Sequence, residues 1–128
     1  MPRLKTETFG GGDQSWLGSA HGIANARTEV LDISAFTAGT HYPNGYIPSG
    51  LPVAKVGGVL VPYDATEATT TDAGVLAGFV LTDQKVDGTA DFGVPLLDHG
   101  RVITSKLPIS FTAPTAAAKR AATTIVFV

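Results

Sequence analysis

Leu51-Pro-Val-Ala-Lys-Val56 and Val59-Leu-Val-Pro-Tyr63 stand on either side of Gly57-Gly58. Both runs are rich in Val and Leu, the composition of strands that pack a half-buried surface. A Gly-Gly pair supplies the positive φ that a two-residue hairpin turn demands. The segment reads as a β-hairpin. Pro52 and Pro62 have no backbone N–H to donate, which confines them to strand ends or edges.

The pattern repeats outward from this hairpin. Downstream, Asp64 to Ala73 is acidic and threonine-rich without an apolar stripe, a solvated loop. Gly74-Val-Leu-Ala-Gly-Phe-Val-Leu-Thr82 is an apolar run of strand length, in which Gly78 marks a bulge or a close backbone approach. Asp87-Gly88 is a turn, Phe92 to Leu97 a strand, Asp98-His99-Gly100 a second turn, and Arg101 to Leu107 a further strand. Thr112 to Ala122 carries Pro114 before an alanine run and Lys119-Arg120 at its end, the features of a short helix. Thr123 to Val128 is β-branched and apolar, a strand to be paired and buried.

Upstream, Thr28 to Phe36 is a short strand of edge-like, mixed character, and Pro43, Asn44-Gly45 and Pro48-Ser-Gly50 mark turns. Strands recurring at roughly ten-residue spacing, without long helical crossovers, predict a mainly β fold. The expected architecture is a small β-sandwich or barrel-like domain over residues 46–128, with one short C-terminal helix and an extended N-terminal arm over residues 1–45.

The arm holds the only tryptophan, Trp16, among the five glycines of Phe9-Gly-Gly-Gly-Asp-Gln-Ser-Trp-Leu-Gly-Ser-Ala-His-Gly22. Local sequence offers it few apolar neighbours, and Trp is enriched at binding hot spots. Trp16 and Leu17 are therefore expected to dock on a partner, the competing expectation being that Trp16 folds back on its own domain. Burying one Trp removes roughly 150 to 250 Å² from water, about 4 to 6 kcal/mol as an upper bound, offset by ordering the glycines.

Length and composition limit the function. A chain of 128 residues buries one core, and with no cysteine it has neither disulfides, thiolate zinc ligands nor thiol nucleophiles. Nine basic and eleven acidic residues, scattered for a net charge of -2, give no footprint for nucleic acid or an anionic membrane. No apolar run approaches the about 20 residues of a membrane span, and Met1-Pro-Arg-Leu-Lys-Thr-Glu-Thr8 has no signal-peptide core, so residence in the cytosol of the producing cell is expected. With 16% charged against 44% hydrophobic residues, the chain is expected to cover surface by self-association.

Three histidines, His21, His41 and His99, with Asp13, Asp32 and Asp98 near them in sequence, are the strongest candidates for chemistry. Imidazole and carboxylate suit Zn, Fe or Ni, so a small β-barrel metal or ligand-binding enzyme is the alternative reading. None of the three has tight ligand spacing, and all lie in turn-like contexts. Gly10-Gly11-Gly12-Asp13 lacks the Lys and Ser or Thr of a phosphate loop, and Ser15, Ser19, His21 and Asp13 share one segment without a scaffold to align a nucleophile and base. A non-catalytic protein without a cofactor is expected.

Ser15-Trp-Leu-Gly-Ser-Ala-His-Gly22, Ile47-Pro-Ser-Gly-Leu-Pro-Val-Ala-Lys55, Leu60-Val-Pro-Tyr63, Ala77-Gly-Phe-Val-Leu81, Val94-Pro-Leu-Leu-Asp-His-Gly-Arg-Val102 and Ile125-Val-Phe-Val128, in that order, resemble head decoration proteins of tailed bacteriophages, of the lambda-like type. The resemblance runs from about Phe9 onward, while the chain is longer and its arm differs. It implies a homotrimer on the outer surface of the expanded icosahedral capsid, assembled in the host cytoplasm, clamping neighbouring major capsid protein subunits. It also implies an N-terminal segment that orders on the shell. Thr28 to Ser34 is the expected strand for adding to a capsid sheet edge, with Val30, Leu31, Asp32 and Ile33 as its contacts alongside Trp16 and Leu17. Ile47, Leu51, Val94 and Leu96 are expected to serve the core, the trimer contact or the capsid contact.

Overall fold

In a computed structural model that describes residues 14–18, 27–64, 66, 72–86, 90–109, 111–114, 117–120 and 122–128, the chain forms nine short strands. These are β1 (Arg27–Leu31), β2 (Tyr46–Ile47), β3 (Pro52–Val56), β4 (Val59–Pro62), β5 (Leu76–Val80), β6 (Gln84–Lys85), β7 (Phe92–Leu97), β8 (His99–Val102) and β9 (Thr124–Phe127). Two single-turn helices, α1 (Ala38–His41) and α2 (Ala117–Arg120), and 3-10 turns at Ile33–Ala35 and Thr104–Lys106 complete the described elements. The fold is mainly β, as the strand spacing predicts.

The Gly57-Gly58 hairpin is the seed of a closed barrel ordered β1-β4-β3-β5-β7. Val56 pairs with Val59 and the ladder runs back to Val53 opposite Pro62, so Pro52 begins one strand and Pro62 ends the other. β1 closes the barrel: it pairs antiparallel with β7 along its whole length, Arg27 opposite Leu96 to Leu31 opposite Phe92, and parallel with β4 at Leu31 and Leu60. Closure removes open sheet edges, which accounts for strands this short without long helices to cover them.

Gly78 sits where the β3–β5 register shifts, with Val53 opposite Gly78 and Ala54 opposite Leu76. Its φ is 149°, and a Cβ there would collide with the Leu97 carbonyl oxygen. The bulge puts Leu76 and Phe79 on one face of β5 although three positions separate them, while Ala77 and Val80 face the other way. β5 is buried on both faces, and two apolar clusters lie either side of it. One fills the barrel with Leu31, Val53, Leu60, Val80, Val94 and Leu96; the other packs Leu76, Phe79, Leu97, Val102, Ile125 and Trp16 beneath the parallel β8–β9 ribbon.

Several expectations are corrected. Residues 27–45 belong to the body, not to an arm: β1, the 3-10 turn and α1 are joined to the barrel, and Leu31, Ile33 and Phe36 are buried in it. The arm boundary near residue 45 was misplaced because the mixed alternation of Thr28 to Ser34 belongs to a barrel strand and its 3-10 exit, whose partner β7 lies more than sixty residues downstream. His99 begins β8 instead of closing a turn, since the chain passes from β7 to β8 through Asp98 alone. Of the expected helix Thr112 to Ala122, only Ala117–Arg120 is helical among the described residues, while Thr112 to Pro114 and Ala122 are described and lie outside the helix; Asp87-Gly88 lies outside the described residues.

Candidate functional site around Trp16 and His41

Gln14 to Gly18 form a strap laid against β8. Leu17 bridges Val102 in the antiparallel sense, the Gly18 N–H donates to the Arg101 carbonyl at 2.9 Å, and the Ile103 N–H donates to the Trp16 carbonyl at 2.6 Å. Trp16 is fully buried, 5.8 Å from the Phe79 ring centroid. Its Nε1–H donates to Ser49 Oγ at 3.0 Å, and Ser49 Oγ donates onward to the Leu81 carbonyl at 2.7 Å, which also accepts from Gln14 Nε2 at 2.8 Å. The indole N–H and the Ser49 hydroxyl are thereby both partnered, the condition for burying them together.

Two glycines make room for the strap. Gly50, at φ 93°, lies so close to the indole that a Cβ would stand 2.8 Å from Trp16 Nε1, and one at Gly18 would stand 2.8 Å from Arg101 Cβ. The expectation that Trp16 lacks apolar neighbours is overturned: Leu76, Phe79, Leu81 and Val102 come to it from strands and loops that adjacent sequence does not contain. Leu17 is partly buried beside it.

The remaining candidates are also placed. On β1, Val30 is 44% exposed while Leu31 is buried; Asp32 caps the following turn, accepting from Ser34 N at 3.1 Å, and Ile33 is buried. The side chains of Leu31 and Ile33 are therefore closed to a partner. Ile47, Leu51, Val94 and Leu96 are all core residues of the barrel, which removes them as trimer or capsid contacts. Sequence reasoning could not separate core from contact because both are apolar and bounded by the same turns. The exposed large apolar side chains among the described residues are Val30, Val126 and Val128.

His21 lies outside the described residues. His99 pairs with Thr124 across the β8–β9 ribbon, its Nδ1 meeting Thr124 Oγ1. His41 ends α1, where its Nδ1 accepts from the Thr37 N–H at 2.8 Å and its ring packs edge-on to Phe36 at 5.4 Å. Accepting at Nδ1 leaves the proton of the neutral imidazole on Nε2. Partial burial holds the His41 pKa below the usual value of 6.5. Among the described residues no three His, Asp or Glu side chains cluster so as to hold a metal ion, and no helix is long and apolar enough to cross a membrane.

His41 and Ile109 form a wall common to two cavities. One, of about 240 Å³, mixes polar and apolar lining and reaches Asn44, Tyr46, Asp83 and Lys106. Asp83 is oriented there by the Ser49 N–H, which donates to its Oδ1 at 2.7 Å, so the Trp16 pocket and the cavity share Ser49 as a partition. The other, of about 540 Å³, lies between Pro52, Pro62 and the Tyr63–Phe111 pair, whose rings are 5.7 Å apart. Burial, and then the charge of Asp64, push the Tyr63 hydroxyl above its ordinary pKa of 10.0. Apart from His41, no residue of either cavity was a sequence candidate, because five separate segments build them and no motif spans those segments.

Comparison with protein-family models, with curated proteins and with solved structures finds no match to this chain.

Proposed function

We propose that this chain is a structural, non-enzymatic protein of a phage head, a trimeric knob on the outside of the expanded shell that cements neighbouring major capsid protein subunits. The observation that supports this reading is where the six blocks resembling lambda-like decoration proteins lie. Their described residues pack together: Trp16 hydrogen-bonds Ser49, Ser49 hydrogen-bonds Leu81, Lys55 pairs with Leu60, and Val102 pairs with both Leu17 and Phe127. A fold shared with those proteins requires that these blocks pack together.

On this reading the barrel is the rigid body of the knob. The segment that grips the shell is sought before Gln14 and on the exposed surface, since β1 already pairs with β7. Three copies per knob make attachment multivalent, so modest contacts per subunit suffice.

The test is light scattering of the purified chain together with thermal challenge of expanded heads stripped of their own decoration protein. A trimeric mass and shells that survive a higher temperature in its presence are expected. A monomer that leaves shell stability unchanged overturns the proposal.

A further inference from the structure

We propose that the smaller cavity beside His41 binds one ring of a neutral saccharide. Besides Thr40, His41 and Ser49, four polar side chains line it. Lys106 offers three donors, Asp83 keeps Oδ2 after Oδ1 has accepted from Ser49, and the Asn44 amide and Tyr46 hydroxyl each donate and accept. Among the described residues, Asn44, Tyr46 and Lys106 make no side-chain hydrogen bond or ion pair to the protein. They come from the loop after α1, from β2 and from the 3-10 turn at Thr104–Lys106, and the fold brings them to one wall.

The chemistry of the ligand follows from this set. In this cavity the Asp83 carboxylate and the Lys106 ammonium balance, while Asp64 makes the neighbouring cavity acidic, so an anionic ligand is disfavoured and a neutral one is not. A ligand that uses the whole set must both donate and accept at closely spaced points, as vicinal hydroxyls do. A zwitterionic amino acid can also pair with Asp83 and Lys106, so amino acids are the necessary controls. Pro43, Pro48 and Pro108 form apolar walls of fixed φ that lose little freedom on binding and suit the C–H faces of a sugar ring.

Size agrees. A volume of about 240 Å³ lies below the roughly 300 to 1,000 Å³ of sites for drug-sized ligands, room for one ring. This inference does not depend on the shell-binding proposal.

The test is two-dimensional amide NMR of the full chain titrated separately with lactose, maltotriose and N,N′-diacetylchitobiose to about 10 mM, ten times a 1 mM Kd. Glycine and glutamate serve as charged controls. At least one saccharide is expected to shift the Asn44, Tyr46 and Asp83 resonances saturably, with both controls silent. Asn44→Ala and Lys106→Ala, at exposed and unpartnered positions, are expected to weaken binding about five-fold each with thermal stability unchanged. No shift with any of the three saccharides, binding indifferent to both substitutions, or a response to glycine or glutamate alone overturns the proposal.

Discussion

The Trp16 Nε1–H donates to Ser49 Oγ at 3.0 Å across 33 positions of sequence, and the donor is fully buried. This bond, with the Phe79 contact beside it, converts a glycine-rich N-terminal stretch into part of the body. Its strength is directly measurable. Trp16→Ala is expected to cost about 3 to 5 kcal/mol, the range for emptying a buried aromatic site. Trp16→Phe keeps much of the packing and loses the hydrogen bond, for about 1 to 3 kcal/mol. Urea denaturation of the three chains checks the order.

As the single tryptophan, Trp16 also reports on itself. Emission from the free native protein is expected to be blue-shifted and protected from iodide, because the indole has no exposed surface. Red-shifted, readily quenched emission would mean that the strap does not dock.

Gly78 and Gly39 give opposite expectations for the same substitution. Gly78→Ala drives a Cβ into the Leu97 carbonyl at a φ that L residues avoid, and is expected to cost about 2 kcal/mol or more. Gly39 lies within α1 with open space around its Cβ position, so Gly39→Ala is expected to be neutral or to stabilise by up to about 1 kcal/mol. Thermal unfolding of the pair separates them.

The hairpin at Gly57-Gly58 was legible in the sequence because it depends on residues adjacent in the chain, and Gly78 because a glycine inside an apolar run marks a bulge or close approach, although its partners Val53 and Leu97 are remote. The strap, the closure of the barrel by β1 and the cavity were not. Trp16 depends on Ser49 and Leu81, β1 on β7, and the cavity on Asn44, Asp83 and Lys106; in each case the determinant is a partner far along the chain. A local window sees an isolated Trp and a mixed strand, and both resemble an arm.

Acidification is expected to weaken the fold through His41. Its folded pKa lies below 6.5 while the unfolded chain titrates near 6.5, so between the two the unfolded state binds more protons. Stability from this residue is complete above about pH 6.5 and falls as pH drops toward the folded pKa. Protonation at Nδ1 also ends its acceptance of the Thr37 N–H. Urea midpoints measured from pH 8 to pH 5 are expected to decline, and His41→Gln is expected to flatten part of that decline.

Lys55 and Glu29 meet at 3.0 Å on the barrel surface, with Lys55 nearly half exposed. Lys55→Met is expected to cost under about 1 kcal/mol, an effect that shrinks as salt is raised. A larger loss insensitive to salt would identify the Lys55 stem, not its charge, as the stabilising part.

The structure also decides how the shell-binding proposal is tested. Deleting residues 1–36 would remove Trp16 and β1 and with them the barrel, so lost binding would say nothing about an arm. A chain beginning at Gln14 keeps every described contact. The decisive measurement is co-sedimentation of the full chain and of this shortened chain with expanded phage heads that lack their own decoration protein. The account predicts that the full chain pellets with the heads as a trimer and that the shortened chain, folded by its tryptophan emission, pellets weakly. A full chain that stays in the supernatant with every expanded head tried would contradict it.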